Sequence, residues 1–73
     1  MNPDLVKASK WLNDLGIETK AQSSQSLFVS KEGVSSLGNP KEVLAAVNEG
    51  IGSRRLFWND VNETVAWYVL ETF

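Results

Sequence analysis

Apolar residues near the start of the chain recur with the period of a helix. The apolar positions three or four apart are Leu5, Ala8, Leu12 and Leu15. This spacing places them on one face of a helix, beside Trp11. Asn2 is a suitable N-cap, Pro3 fits the first helical position, and Gly16 is placed to end the helix. We therefore expect a first helix whose apolar stripe belongs to the core.

The segment after this helix has the shorter period of strands. Residues 17–21, "IETKA", alternate weakly, and residues 26–30, "SLFVS", alternate clearly, with Leu27 and Val29 facing away from Phe28. The polar run "QSSQS", residues 22–26, reads as a loop or a hairpin tip. Residues 31–33 suggest a turn, and residues 34–37 leave two options open, an extension of the pairing or a loop.

A second helix is marked at both ends. Asn39 is a possible N-cap, Pro40 fits the first position, and Glu42 stands where a capping box places its acidic residue. The apolar stripe consists of Val43, Leu44 and Val47, with Ala46 beside it. Gly50 and Gly52 predict an end near Glu49.

The last third reads as a β-hairpin, with arms at 54–58 and 64–71. The element order is then α-β-β-α-β-β, in one domain that covers residues 1–73. The simplest arrangement is a small α+β domain, with two helices packed on a mostly antiparallel four-stranded sheet.

Alternation in the hairpin predicts two faces. With a loop at 60–63, Asn59 pairs with Thr64, Trp58 with Val65, and Leu56 with Trp67. The predicted core face holds Leu56, Trp58, Val65, Trp67 and Val69. The predicted opposite face holds Arg55, Phe57, Ala66, Tyr68 and Leu70. Either this second face is exposed as a contact surface, or one helix crosses the sheet and covers it.

Composition narrows the possible functions. The 73 residues contain no Cys and no His, and seven basic against nine acidic residues give a net charge of −2. Disulfides are therefore impossible, the usual zinc ligands are missing, and so are the commonest catalytic base and thiol nucleophile. We expect a non-enzymatic chain without cofactor or metal. It shows neither a signal peptide nor a membrane span, and a cytoplasmic location is expected.

The residues favoured for protein binding combine arginine with apolar and aromatic side chains. They are Arg54, Arg55, Phe57, Tyr68 and Leu70. Tyr and Arg are enriched at binding hot spots, and an arginine fork can grip a carboxylate. Two other functions stay open: a sheet face that stacks single-stranded nucleic acid, and a self-associating structural module. After Arg55 the chain has no basic residue, whereas Asp60, Glu63 and Glu71 are acidic. This charge disfavours nucleic acid, because binding along a phosphate backbone needs several cations. A monomer is favoured over an oligomer.

A small, acidic, cysteine-free chain without catalytic groups resembles the bacteriophage-encoded regulators of about this length that bind bacterial RNA polymerase. The resemblance lies in size, charge and element order over the whole chain, and no motif carries it. It implies contacts to polymerase subunits in the bacterial cytoplasm, with inhibition of initiation or antitermination as the result.

Overall fold

Three helices and four strands make up the part of the chain that the structure, a computed structural model, describes: residues 2–59 and 66–72. In chain order they are α1 (Pro3–Asp14), β1 (Thr19–Ser23), β2 (Ser26–Ser30), α2 (Lys31–Leu37), α3 (Pro40–Ile51), β3 (Leu56–Asn59) and β4 (Trp67–Thr72). The α+β class is as predicted, but the order α-β-β-α-α-β-β contains one helix more than expected. The predicted hairpin loop at 60–63 and the first residues of its second arm, 64–65, lie outside the described residues.

The additional helix, α2, follows directly from the end of β2. The hydroxyl oxygen of Ser30 accepts a hydrogen bond from the backbone N–H of Gly33 at 3.2 Å and so caps the helix N-terminus. Val34 is fully buried in the core. Residues 34–37 are therefore neither an extension of the sheet nor a loop, because a serine cap and one buried apolar anchor favour a short helix here.

The other two helices begin where the sequence predicts. The Asn2 side-chain oxygen accepts from the backbone N–H of Asp4, and the Asn39 side-chain oxygen accepts from that of Lys41, each at 2.9 Å. α3 ends at Ile51, and its C-cap is Gly52, whose φ of +70° is a left-handed conformation that glycine adopts without strain. Leu15 follows the last helical residue of α1 and is 49% exposed, so its assignment to the core stripe is wrong.

Gly50 lies inside α3 and does not end it, contrary to the prediction. A Cβ atom at this position would collide with the indole nitrogen of Trp11 on α1. The absence of a side chain at Gly50 thus lets the Trp11 ring lie against α3.

The four strands form one antiparallel sheet in the order β1-β2-β4-β3. In the β3–β4 pair, Leu56 lies opposite Thr72 and Trp58 lies opposite Leu70. The predicted partner of Trp58 was Val65, so the two registers differ by five positions along β4. An odd shift moves every side chain of one strand to the other face, and the predicted faces of β4 are therefore exchanged.

All three helices contribute to a single core on one face of the sheet. Its buried side chains are Leu5, Ala8, Leu12, Ile17, Leu27, Val29, Val34, Val43, Val47, Leu56 and Leu70. Trp58 and Tyr68 pack against this cluster from the same sheet face. Leu56 and Trp58 thus face the core as alternation predicted, and Leu27 and Val29 lie on the face opposite Phe28, as predicted. No described helix covers the other face of the sheet, so the option of a helix crossing to it does not hold for the described residues.

Candidate functional site

The sheet face that points away from the helices carries the candidate site. We call it the open face. Alternation and register assign to it Lys20, Ser26, Phe28, Ser30, Phe57, Asn59, Trp67, Val69 and Glu71. Side-chain contacts agree with this assignment: the ammonium of Lys20 lies 4.9 Å from the ring centroid of Trp67, although β2 separates their strands.

Four neighbouring apolar side chains form an apolar strip across the open face. The members of the apolar strip are Phe28, Phe57, Trp67 and Val69. On β4, Trp67 and Val69 are two positions apart, and Phe28 on β2 lies directly opposite Val69. Phe57 on β3 lies opposite Glu71, which is two positions beyond Val69 on β4. All four are half-buried. Among the described residues, none of the four belongs to the core cluster or to the side chains packed against it.

Charged groups lie at the two ends of the apolar strip. Lys20 stacks over Trp67 at one end, in the geometry of a cation–π contact. At the other end Glu71 lies opposite Phe57, and its carboxylate accepts a hydrogen bond from the amide of Asn59 at 3.4 Å. The strip therefore has a basic end and an acidic end.

Two of the residues predicted to form the contact surface lie on the helix side of the sheet. Leu70 is 0% exposed, and Tyr68 packs against the core with its ring centroid 5.1 Å from that of Trp58. The ammonium of Lys31 also lies 5.1 Å from the Tyr68 centroid. The prediction that Tyr68 and Leu70 lie on the exposed face is therefore wrong, because the observed β3–β4 register exchanges the two faces of β4.

The other three predicted residues do not form one group. Phe57 lies on the open face, as predicted. Arg54 and Arg55 are exposed in the segment between α3 and β3, outside the sheet. The backbone N–H of Arg55 donates to the hydroxyl of Ser53 at 3.2 Å. That hydroxyl also donates to the carboxylate of Asp4 at 3.0 Å, which links the segment to the start of α1.

Sequence reasoning missed Lys20, Phe28, Trp67 and Val69 as site residues. Alternation in "SLFVS" already separates Phe28 from the buried Leu27 and Val29, so this signal was available. Trp67 and Val69 had no such signal, because their face depends on the register of β4.

The edges of the sheet are poorly suited to the addition of another strand. On β3, the side-chain amide of Asn48 donates to the carbonyl of Leu56 at 3.3 Å and accepts from its N–H at 3.4 Å. On β1, the pairing is irregular between Ala21 and Ser23, and Lys20 supplies a charge. Such bulges, charges and side-chain caps are the usual means by which sheet edges are protected from another chain. The face is therefore a better candidate than either edge.

Concave surfaces elsewhere are open and polar. One depression of about 490 Å³ lies at the end of α3, lined by Ala45, Asn48, Glu49, Gly52, Ser53 and Arg54. A second of about 320 Å³ lies beside α2, lined by Gly16, Glu18, Ser30, Glu32, Gly33 and Ser36.

Within residues 2–59 and 66–72, no three acidic side chains come together to form a metal site. In the same part of the chain, none of the helices has the length and apolar character needed to cross a bilayer.

Comparison with protein-family models, curated protein sequences and solved structures finds no match to this chain. No relative indicates a function, so a proposed function has to start from the open face and its apolar strip.

Proposed function

We propose that this chain is a non-enzymatic regulator that binds another protein through the open face of its sheet. The observation that carries the proposal is the apolar strip, which lies on the face opposite the core and has aromatic rings at three of its four positions. Contiguous apolar side chains on a small soluble domain commonly mark a contact site, and aromatic rings are enriched at binding hot spots.

The charge of the chain favours protein over nucleic acid as the partner. The net charge is −2, and Glu71 lies at the end of the strip itself. Binding of nucleic acid gains most of its affinity from cations that contact phosphates. Protein partners do not require such a field, and a basic partner surface would be attracted by this chain.

Single-stranded nucleic acid is the second candidate, and one observation favours it. Phe28, Phe57 and Trp67 present rings on an open antiparallel sheet, with Lys20 beside them. Rings on such a surface can stack unpaired bases. A labelled 15-nucleotide oligo-dT would then bind at micromolar protein in low salt and lose affinity steeply as salt is added.

The partner that we propose to test first is bacterial RNA polymerase. This choice comes from the resemblance of the sequence to small phage regulators, and it implies action in the bacterial cytoplasm on initiation or antitermination. The structural part of the proposal, a protein contact at the apolar strip, stands without it.

Affinity capture from bacterial lysate tests the proposal when it is done with matched variants. Trp67→Ser removes a ring from the strip, whereas Val6→Ser changes an apolar side chain that is 50% exposed on α1. We expect one dominant partner, identified by mass spectrometry, to be retained by the wild-type chain and Val6→Ser and to be lost with Trp67→Ser. Equal capture by all three chains would contradict the proposal.

A further inference from the structure

The apolar strip has a length and a direction that restrict its partner. Trp67 marks one end on β4, and Phe57, opposite Glu71, marks the other end on β3. Phe57 is displaced from Trp67 by four positions along the strand direction and by one strand across the sheet. At the usual strand spacings, the distance between the two ends of the strip is therefore about 14 Å. The strip therefore runs nearly along the strands and is one to two side chains wide.

A helix fits these dimensions better than an extended segment does. Apolar residues at positions i, i+3 or i+4, and i+7 form a narrow stripe, and about 14 Å corresponds to roughly nine helical residues. A helix about 10 Å in diameter covers β4 together with its neighbours β2 and β3, which span about 10 Å. An extended segment would gain most from pairing with a sheet edge, and Asn48 on β3 and the irregular pairing of β1 oppose such pairing.

The charges at the ends of the strip favour a particular charge pattern in such a helix. Lys20 at the Trp67 end attracts an acidic side chain, and Glu71 at the Phe57 end attracts a basic one. Opposite charges at matching ends set the register and orientation of a bound segment more than its total affinity. A helix with this pattern also avoids placing a like charge against either residue.

From this geometry we infer that the open face accepts an amphipathic helix of the partner protein, with apolar residues on one stripe and opposite charges near its two ends. The helix would form a third layer, on the side of the sheet opposite α1, α2 and α3. The inference rests on the proposed function, because it specifies the form of the partner that binds the same face.

Selection from a displayed library of random 16-residue peptides tests the inference. The wild-type chain serves as bait, and the Trp67→Ser variant removes peptides that bind elsewhere. We expect enriched peptides with apolar residues at i, i+3 or i+4, and i+7. Synthetic copies should gain helical circular dichroism on binding and bind Trp67→Ser at least tenfold more weakly than Val6→Ser.

Charge reversal supplies a second readout in the same selection. With the double variant Lys20→Glu and Glu71→Lys as bait, the acidic and basic positions of the enriched peptides should exchange ends. Enriched peptides with an apolar period of two, or without any period, would overturn the inference. So would the absence of peptides that depend on Trp67, or oligo-dT that binds the chain in a Trp67-dependent manner when no peptide does.

The failure of this inference can be separated from the failure of the proposed function. If Trp67 is required for capture of a protein from lysate but the selected peptides are extended, the face binds protein and the helix is wrong. If Trp67 matters in neither experiment, both proposals fail.

Discussion

The indole nitrogen of Trp58 donates a hydrogen bond of 2.8 Å to the carbonyl oxygen of Pro40. This bond joins an edge strand, β3, to the first residue of α3, and the Trp58 ring packs against the core beside Tyr68. Trp58 therefore has one part in the apolar core and one polar contact that fixes the orientation of its ring.

Replacement of Trp58 by Phe should separate the two contributions. Phe keeps much of the apolar contact and removes the N–H donor, so we expect a loss of about 1 kcal/mol in the free energy of unfolding. Trp58→Ala should cost more, up to about 3 kcal/mol, which is the lower end of the range for removal of a large ring from a core, because the Trp58 ring is only partly buried. Urea denaturation followed by far-UV circular dichroism measures both. Unchanged stability of Trp58→Phe would show that the hydrogen bond contributes nothing measurable, and equal destabilisation by the two variants would show the same of the ring packing.

Gly50 provides a test of the contact between α1 and α3. In an exposed helix, Ala in place of Gly is more stable by about 1 kcal/mol. Here the added Cβ collides with the Trp11 indole, so we expect Gly50→Ala to destabilise the fold by about 1–3 kcal/mol.

The control for this prediction is the same substitution in a Trp11→Leu background. The shorter side chain leaves space for the Cβ, and Gly50→Ala should then become neutral or stabilising by up to about 1 kcal/mol. If Gly50→Ala has the same effect in both backgrounds, the collision with Trp11 is not its cause.

Val69 and Leu70 are neighbours in sequence and lie on opposite faces of β4. Leu70 is fully buried, so Leu70→Ala should cost about 2–5 kcal/mol. Val69 is half-buried on the open face, so Val69→Ala removes little buried apolar area and should cost less than about 1 kcal/mol while weakening the binding of the partner. Urea denaturation of the two variants distinguishes the registers, because a register shifted by an odd number of positions predicts the reverse order.

The sequence was most informative where the signals were local. Asn2 with Pro3, and Asn39 with Pro40, mark the starts of α1 and α3 because a cap and a first-position proline act within one turn. Alternation in "SLFVS" correctly separated Leu27 and Val29 from Phe28, because it too is a local pattern. α2 was missed because a single serine cap, Ser30, and one apolar anchor, Val34, are weak signals without the core that surrounds them.

The candidate site could be predicted only in part, because it depends on pairing between strands that are distant in sequence. The assumed loop at 60–63 fixed the predicted register, and an odd shift placed Tyr68 and Leu70 on the wrong face. The pairing of β2 with β4 brings Phe28 opposite Val69, and no local pattern indicates this contact. Gly50 was read as a helix stop because the approach of Trp11 is likewise a contact between distant segments.

Site-specific photo-crosslinking in bacterial cells tests the central claim most directly. A benzoylphenylalanine in place of Phe28 or Trp67 puts the crosslinker on the apolar strip, and the same group in place of the exposed Val6 serves as the control. Binding at the open face predicts a covalent adduct with one larger protein from positions 28 and 67 and none from position 6. Adducts that form only from position 6, or equally from all three positions, would contradict binding at the open face.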